Sequence, residues 1–297
     1  MDGAAIRDSM PYLPFDGGRF RLSMGLKALA EPEWLEIGGD IAAVLARKRR
    51  LLATRPGEVF AALPAAAAPA AELLALLAAH LPQHHPAIYR REGERLVNRA
   101  TAEDWDLERP GLHPLDLAGR LVPEDFCLLL TEDGESRLVG GSVCSPARWR
   151  LAEKLGRLLD VIHAPVPGYA ETLDRPVARL LAQLKPGKMV WRLNWGLSDD
   201  PEPFQPAAAA ARPLAAAVAG ERLWFRVERQ TLRRLAVSGA VVFTIRTYIA
   251  RLDAAIATAA AATELAGAVR TMSPAMQDYK GIAPVAAPLL AWLDARA

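Results

Sequence analysis

The chemistry of this chain concentrates in the stretch from Cys144 to Tyr169, where His163 is the best-placed reactive group. Ser145 is a good N-cap, and Pro146 suits the first helical position, where a missing N–H costs nothing. Leu151, Leu155, Leu158, Leu159 and Ile162 follow helical spacing and make one apolar stripe. Pro165 and Pro167 forbid continuation, so the pattern predicts one helix over 146–163 that stops on the imidazole. A histidine at the rigid end of an apolar helix can ligate a metal or cofactor in an apolar pocket. The same place also suits an ordinary C-terminal histidine favoured by the helix dipole.

Cations and aromatics accompany that histidine. Arg148, Lys154, Arg192, Arg226 and Arg246 could reach carboxylates at a pocket rim, or could be solvated charges of sheet and helix. Trp149, Trp191, Trp195 and Trp224 could wall a flat macrocycle, although tryptophans at strand spacing equally build a core. Other chemistries are excluded by pattern. Gly140-Gly141-Ser142-Val143-Cys144 resembles a nucleophile elbow but lacks its final glycine and runs towards a proline, which argues against a hydrolase. The chain has no Gly-x-Gly-x-x-Gly, no P-loop and no His-Glu-x-x-His, hence no recognisable nucleotide, flavin or zinc apparatus of its own. His84 and His85, flanked by Pro82 and Pro86, read as a surface loop, since adjacent residues rarely face one ion.

The elements that must position these groups follow from periodicity. Residues 1–110 read as a mainly helical, loop-rich region, with helices over 40–52 and 70–81. From residue 120 the period changes to two. Strands are expected over 126–130 and 137–143, joined through the hairpin signal Asp133-Gly134. Beyond the His163 helix and a second helical pattern over 170–184 come three more strands. In 189–197, Trp191, Leu193, Trp195 and Leu197 face one way, with Arg192 and Asn194 on the other side. The others cover 223–228 and 240–248, the last after a Ser238-Gly239 turn. Residues 198–220 read as a long excursion rich in Asp, Pro and Ala. From Arg251 the tail is alanine-rich helix, broken near Ser273-Pro274. Two strands, helices, then three strands is the element order of a PAS domain. The expected fold is therefore α+β: a PAS-like antiparallel sheet over 111–250 with helices between its second and third strands, plus helical extensions over 1–110 and 251–297.

Composition narrows the setting. With 52% hydrophobic and 24% charged residues, the 297-residue chain suits a soluble, well-cored protein. A net charge of +2 gives no nucleic-acid surface. The one basic run, Arg47-Lys48-Arg49-Arg50, follows an apolar run and reads as the last turn of a helix. Cys127 and Cys144 can build neither a four-cysteine cluster nor a disulfide framework, which fits a reducing cytoplasm. The opening decapeptide lacks a leader pattern, and the proline-interrupted alanine stretches argue against a membrane span.

Several motifs together resemble the haem-dependent oxidative N-demethylase family. They are Lys154-Leu-Gly156, Ile162-His-Ala-Pro-Val-Pro-Gly-Tyr169, Arg192-Leu-Asn-Trp195, Arg226-Val-Glu-Arg-Gln-Thr-Leu232 and Phe243-Thr-Ile-Arg-Thr-Tyr248. The similarity runs from about Met24-Gly-Leu-Lys27 to Tyr248. The resemblance implies a PAS-like enzyme that binds b-type haem and uses O2 to demethylate a small secondary amine such as dimethylamine. It also implies a separate reductase delivering electrons through flavin and an iron–sulfur centre. His163 would be the proximal iron ligand, with the thiolate of Cys144 as its rival. Arg192, Arg226 and Arg246 would anchor propionates or hydrogen-bond iron-bound oxygen, with Arg148, Lys154, Tyr169 and Trp195 around the cofactor. Glu228 or Asp125 would pair with the ammonium of the substrate. The alternative is a haem- or ligand-binding PAS-type sensor without catalysis.

Overall fold

A computed structural model describes residues 10–15, 17–109, 111–207 and 212–297. Met1–Ser9, most of the opening decapeptide, and part of the 198–220 excursion lie outside the described residues.

The hairpin signal at Asp133-Gly134 is a two-residue turn with φ of 50° and 83°, the left-handed pair that an I′ turn requires. It joins β6 (Asp125–Glu132) to β7 (Glu135–Ser142). Along the chain these strands are preceded by β1 (Lys27–Leu29), β2 (Phe60–Ala62), β3 (Tyr89–Glu92), β4 (Arg95–Asn98) and β5 (Glu103–Asp106). They are followed by β8 (Met189–Ser198), β9 (Trp224–Arg234) and β10 (Val241–Arg251). The main sheet runs β1-β8-β9-β10-β6-β7-β2, antiparallel throughout. Its five central strands thus lie in the spatial order second, first, fifth, fourth, third. Short helices join the second strand to the third, as the element order predicts. β1 and β2, from the N-terminal region, extend the two edges.

Strand alternation gives the sheet two faces with different coverings. One carries Trp195, Leu197, Phe225, Val227 and Ala250 against the C-terminal helices Ala259–Thr271 and Ala286–Asp294, and Phe126, Leu128 and Val242 against the helix Ala67–His84. That last helix, with the turn before it, is apolar and long enough to cross a membrane, but half of it is buried inside the fold. The second face carries Cys127, Leu129, Leu232, Val241 and Phe243 under the short helices around His163.

Three expectations are corrected. The single helix over 146–163 is two helices, Leu151–Lys154 and Leu159–His163. Tertiary bonds claim the backbone on which it would have started. Ser145 N–H donates to Asp125 Oδ2 at 2.7 Å, and Pro146 O and Arg148 N–H bond to Gln205. Further on, Gly156 adopts φ of 76°, and residues 156–158 pair with Arg137 and Leu138 along the exposed side of β7. The edge of the sheet outcompetes the helix. Second, Pro82, Gln83 and His84 are not loop but the last turn of the helix Ala67–His84. Third, the basic run lies within a helix that continues to Thr54, and Lys48 is fully buried, 3.4 Å from Asp125. The small sheet β3-β4-β5 was invisible to periodicity because its strands, such as Tyr89-Arg-Arg-Glu92, are mostly charged.

Candidate functional site

His163 is the last residue of its helix, as the two prolines dictate. Its Nδ1 lies 2.8 Å from the Leu159 carbonyl, so Nδ1–H donates there and Nε2 keeps its lone pair. The ring stacks on Tyr169 with centroids 4.7 Å apart and planes within 10°. Burial pushes its pKa down, helped by the charges of Lys154 and Arg192. A neutral imidazole, locked by a carbonyl and an aromatic ring, is the form and setting of a metal ligand.

The sheet below it is incompletely covered. Phe243, Thr247, Gln230 and Leu232 belong to central strands overlain by helices, yet each stays half-exposed. Trp149, Leu159, Ile162 and Val177 opposite are also only partly buried. On β8, Arg192, Asn194 and Gly196 continue the same half-exposed face, and a Cβ built on Gly196 meets nothing within 4 Å. Apolar side chains that stay partly exposed on both the sheet and its cover mark this layer as the candidate slot for a flat ligand.

Charges gather at the β8 end of this slot. Arg192 makes no hydrogen bond or ion pair with the described residues; its Nε is buried and bare, and burial lowers its pKa. Glu228 is buried and accepts from Arg226 Nε at 3.1 Å, Gln230 Nε2 at 3.0 Å and Asn194 Nδ2 at 3.3 Å. Lys280, from the turn after the helix Pro274–Tyr279, enters beside them. Its Nζ donates to Trp195 O at 2.7 Å and Asn194 Oδ1 at 3.3 Å. Burial brings its pKa down to about 8, with the Glu228 carboxylate opposing. Sequence reasoning missed Lys280 because it belongs to the alanine-rich tail; the only local signal is Tyr279-Lys280-Gly281 breaking the helical pattern. Gly281 has φ of 65°, and a Cβ there would fall 2.0 Å from Arg148 Nη1.

The sign of the Lys280 shift makes a prediction. Below pH 8 the amine is charged in both folded and unfolded chains, and burial penalises the folded one. Between about 8 and the ordinary 10.5 the folded chain has released its proton while the unfolded chain keeps it, so stability rises with pH. The slope from this group is at most about 1.4 kcal/mol per pH unit, reduced where the amine meets solvent. Lys280→Met should lack that rise in denaturant titrations from pH 7 to 10.5; superimposable curves for the two proteins would contradict it.

Other expected site residues are placed differently. Arg246 is on the opposite face of the sheet, buried, and bonded to Asp40 Oδ2 at 2.6 Å. Trp195 also faces away, against Phe15 and Phe225. Neither reaches the slot, because strand parity turns both side chains to the other side. Arg226 is on the slot side, but its guanidinium is committed: Nη1 to Pro203 O at 3.0 Å, Nη2 to Ser145 O and to Thr247 Oγ1, and Nε to Glu228. It fixes Glu228 and two loops. Arg148 donates to Leu197 O at 3.0 Å, and Lys154 to Ile162 O at 3.3 Å while lying over the Trp149 ring. Asp125 is held by Ser145 and Lys48 beneath the fold. Cys144 is fully buried among Leu51, Leu52 and Val59, and burial pushes its thiol up to about 12.

The model of the family described as haem-dependent oxidative N-demethylase, alpha subunit-like, matches residues 25–290. The chain belongs to this family. The match takes in β1 at one end and Lys280 at the other, so every part of the slot described above lies within the haem-dependent oxidative N-demethylase span. The residues suit the group that the family's description implies. Among the described residues His163 Nε2 and the Arg192 guanidinium have no hydrogen-bond partner, and partly exposed apolar side chains lie under the His163 helix.

Proposed function

We propose that this chain binds haem b through His163 Nε2 in the slot and takes part in oxidative demethylation of a small secondary amine, with dimethylamine as the type substrate. The observation that carries the reading is the pairing of a neutral, Nδ1-anchored imidazole with half-exposed apolar side chains on central strands. Haem, when bound, supplies the iron at which O2 is reduced. The balance is one secondary amine, one O2, two electrons and two protons giving primary amine, formaldehyde and water.

The chain's own groups have separable tasks. The Leu159 carbonyl fixes the His163 tautomer, and the Tyr169 ring fixes its plane. Arg192 is positioned to take a propionate, which would relieve its unpaired buried charge. Leu232, Phe243 and Ile162 would keep water away from the bound macrocycle. Glu228, held by Arg226, Gln230 and Asn194, presents a fixed negative charge towards a small ammonium substrate, with Lys280 setting the local charge balance. We assign electron delivery to a separate reductase carrying flavin and an iron–sulfur centre, a division of labour consistent with the chain's two cysteines being too few for a four-cysteine cluster. We place the reaction in the cytoplasm, where free thiols stay reduced.

The test is turnover with the electron source varied. The haem-loaded chain, given dimethylamine, O2 and a flavin/iron–sulfur reductase with NADPH, should release formaldehyde and methylamine in equal amounts. With NADPH alone it should release none. Formaldehyde without a reductase would overturn the partner assignment. Haem binding without amine turnover under any electron supply would make this a sensor.

A further inference from the structure

A second cluster of ligating groups lies on the other side of the sheet from His163. The helix Ala67–His84 ends with His80 and His84 one turn apart, on the same face. Their ring centroids are 4.4 Å apart. Glu31, in the 3-10 turn Glu31–Glu33, brings Oε1 to 3.2 Å from His80 Nδ1. One ligand atom from each of the three residues falls within 4.8 Å of the others. Two ligands about 2.1 Å from one ion at a near-tetrahedral angle are separated by about 3.4 Å, so the hydrogen-bonded Glu31–His80 pair is spaced for shared coordination by an ion that displaces the proton between them. His84 needs only a side-chain adjustment, and it is half-exposed and free to make one.

We propose that Glu31, His80 and His84 form a binding site for one divalent transition-metal ion of the zinc class. Two imidazoles and a carboxylate are the nitrogen and oxygen donors that borderline cations select, with a fourth position left for water. The surroundings support the assignment. His80 is nearly fully buried, with its Nε2 bonded to nothing, so apart from Glu31 the ring is committed to no other group. Burial and the neighbouring His84 and His85 push the His80 pKa down to about 4, although Glu31 opposes the shift. Arg233 Nη1 lies 2.5 Å from Glu31 Oε1, an outer partner that orients the carboxylate. The edge of the His80 ring against Trp34, at 5.1 Å, keeps the imidazole in place.

The ion would tie the turn at Glu31 to the end of the long helix and, through Arg233, to β9. Its role is structural and separate from the slot. That separation makes the test clean. Untagged, haem-loaded protein is stripped with a chelator and titrated with Zn2+ by calorimetry, with metal content checked by atomic emission. The expected result is one Zn2+ per chain and a higher melting temperature on binding. His84→Ala and Glu31→Gln should each weaken binding by at least about 10–100-fold, with the haem spectrum unchanged. His84 and Glu31 are both partly exposed, so both variants should fold; circular dichroism confirms this before titration. Absence of saturable, equimolar binding to the wild-type chain would overturn the site, and so would undiminished affinity in either variant.

Discussion

Replacing His163 with alanine should abolish the haem absorption band while leaving the chain folded. The side chain closes a five-residue helix and is only half-buried, so its removal loses one hydrogen bond and one ring stack. That is about 1–3 kcal/mol of folding free energy, well within what a domain of this size tolerates. No other described histidine faces the slot: His80, His84 and His85 cluster beyond the opposite face, and His113 caps the helix Pro114–Leu121 by accepting from Leu115 N–H at 3.2 Å. Both thiols are packed into cores, Cys144 among Leu51, Leu52 and Val59 and Cys127 among Leu129, Leu138 and Leu151. Free imidazole, small enough for the space vacated, should restore the band. A His163→Ala protein with a wild-type spectrum would show that the iron is held elsewhere.

Gly196→Leu should produce the opposite pairing of a sound fold and an empty slot. Gly196 lies within β8, its φ is outside the left-handed region, and its Cβ position is open. A leucine there meets no backbone strain. It should even add about 0.5–1 kcal/mol of stability, because glycine in a strand carries an entropic penalty. The new side chain projects beside Asn194 and opposite Arg226, on the face to which we assign the macrocycle. Haem content should fall at least tenfold with the melting temperature unchanged or raised, and Gly196→Ala should lie between the two. Full haem occupancy in the leucine variant would place the cofactor away from β8.

These expectations rest on parts of the molecule that differ in how readily the sequence reveals them. The last three central strands were legible because each alternates, and Asp133-Gly134 between an apolar run and its partner marked the first hairpin. Where the helix before the slot stops was legible from Pro165 and Pro167. Its unbroken course was not, because residues 156–158 are taken by the edge of β7, a long-range competitor that local propensity does not contain. Parity was partly legible. Arg192 and Trp195 are three residues apart on one strand and cannot share a face, a conflict visible without coordinates. Arg246 is a different case. Whether it shares a face with Arg226 depends on register, and the pairing of Arg246 with Arg229 and of Ile249 with Arg226 sends it to the other side. Lys280 was hidden for a third reason. It reaches the slot only because the C-terminal helices fold back over the sheet, and its role comes from burial next to Glu228 rather than from any motif.

The account turns on where the iron sits. Crystals of the haem-loaded chain, with diffraction recorded on both sides of the iron absorption edge, locate it without reference to any assumed ligand. The account predicts a single strong peak about 2.0–2.1 Å from His163 Nε2, between the helix Leu159–His163 and the face carrying Phe243 and Gly196. A peak on the other side of the sheet, or one bonded to any residue but His163, would contradict it.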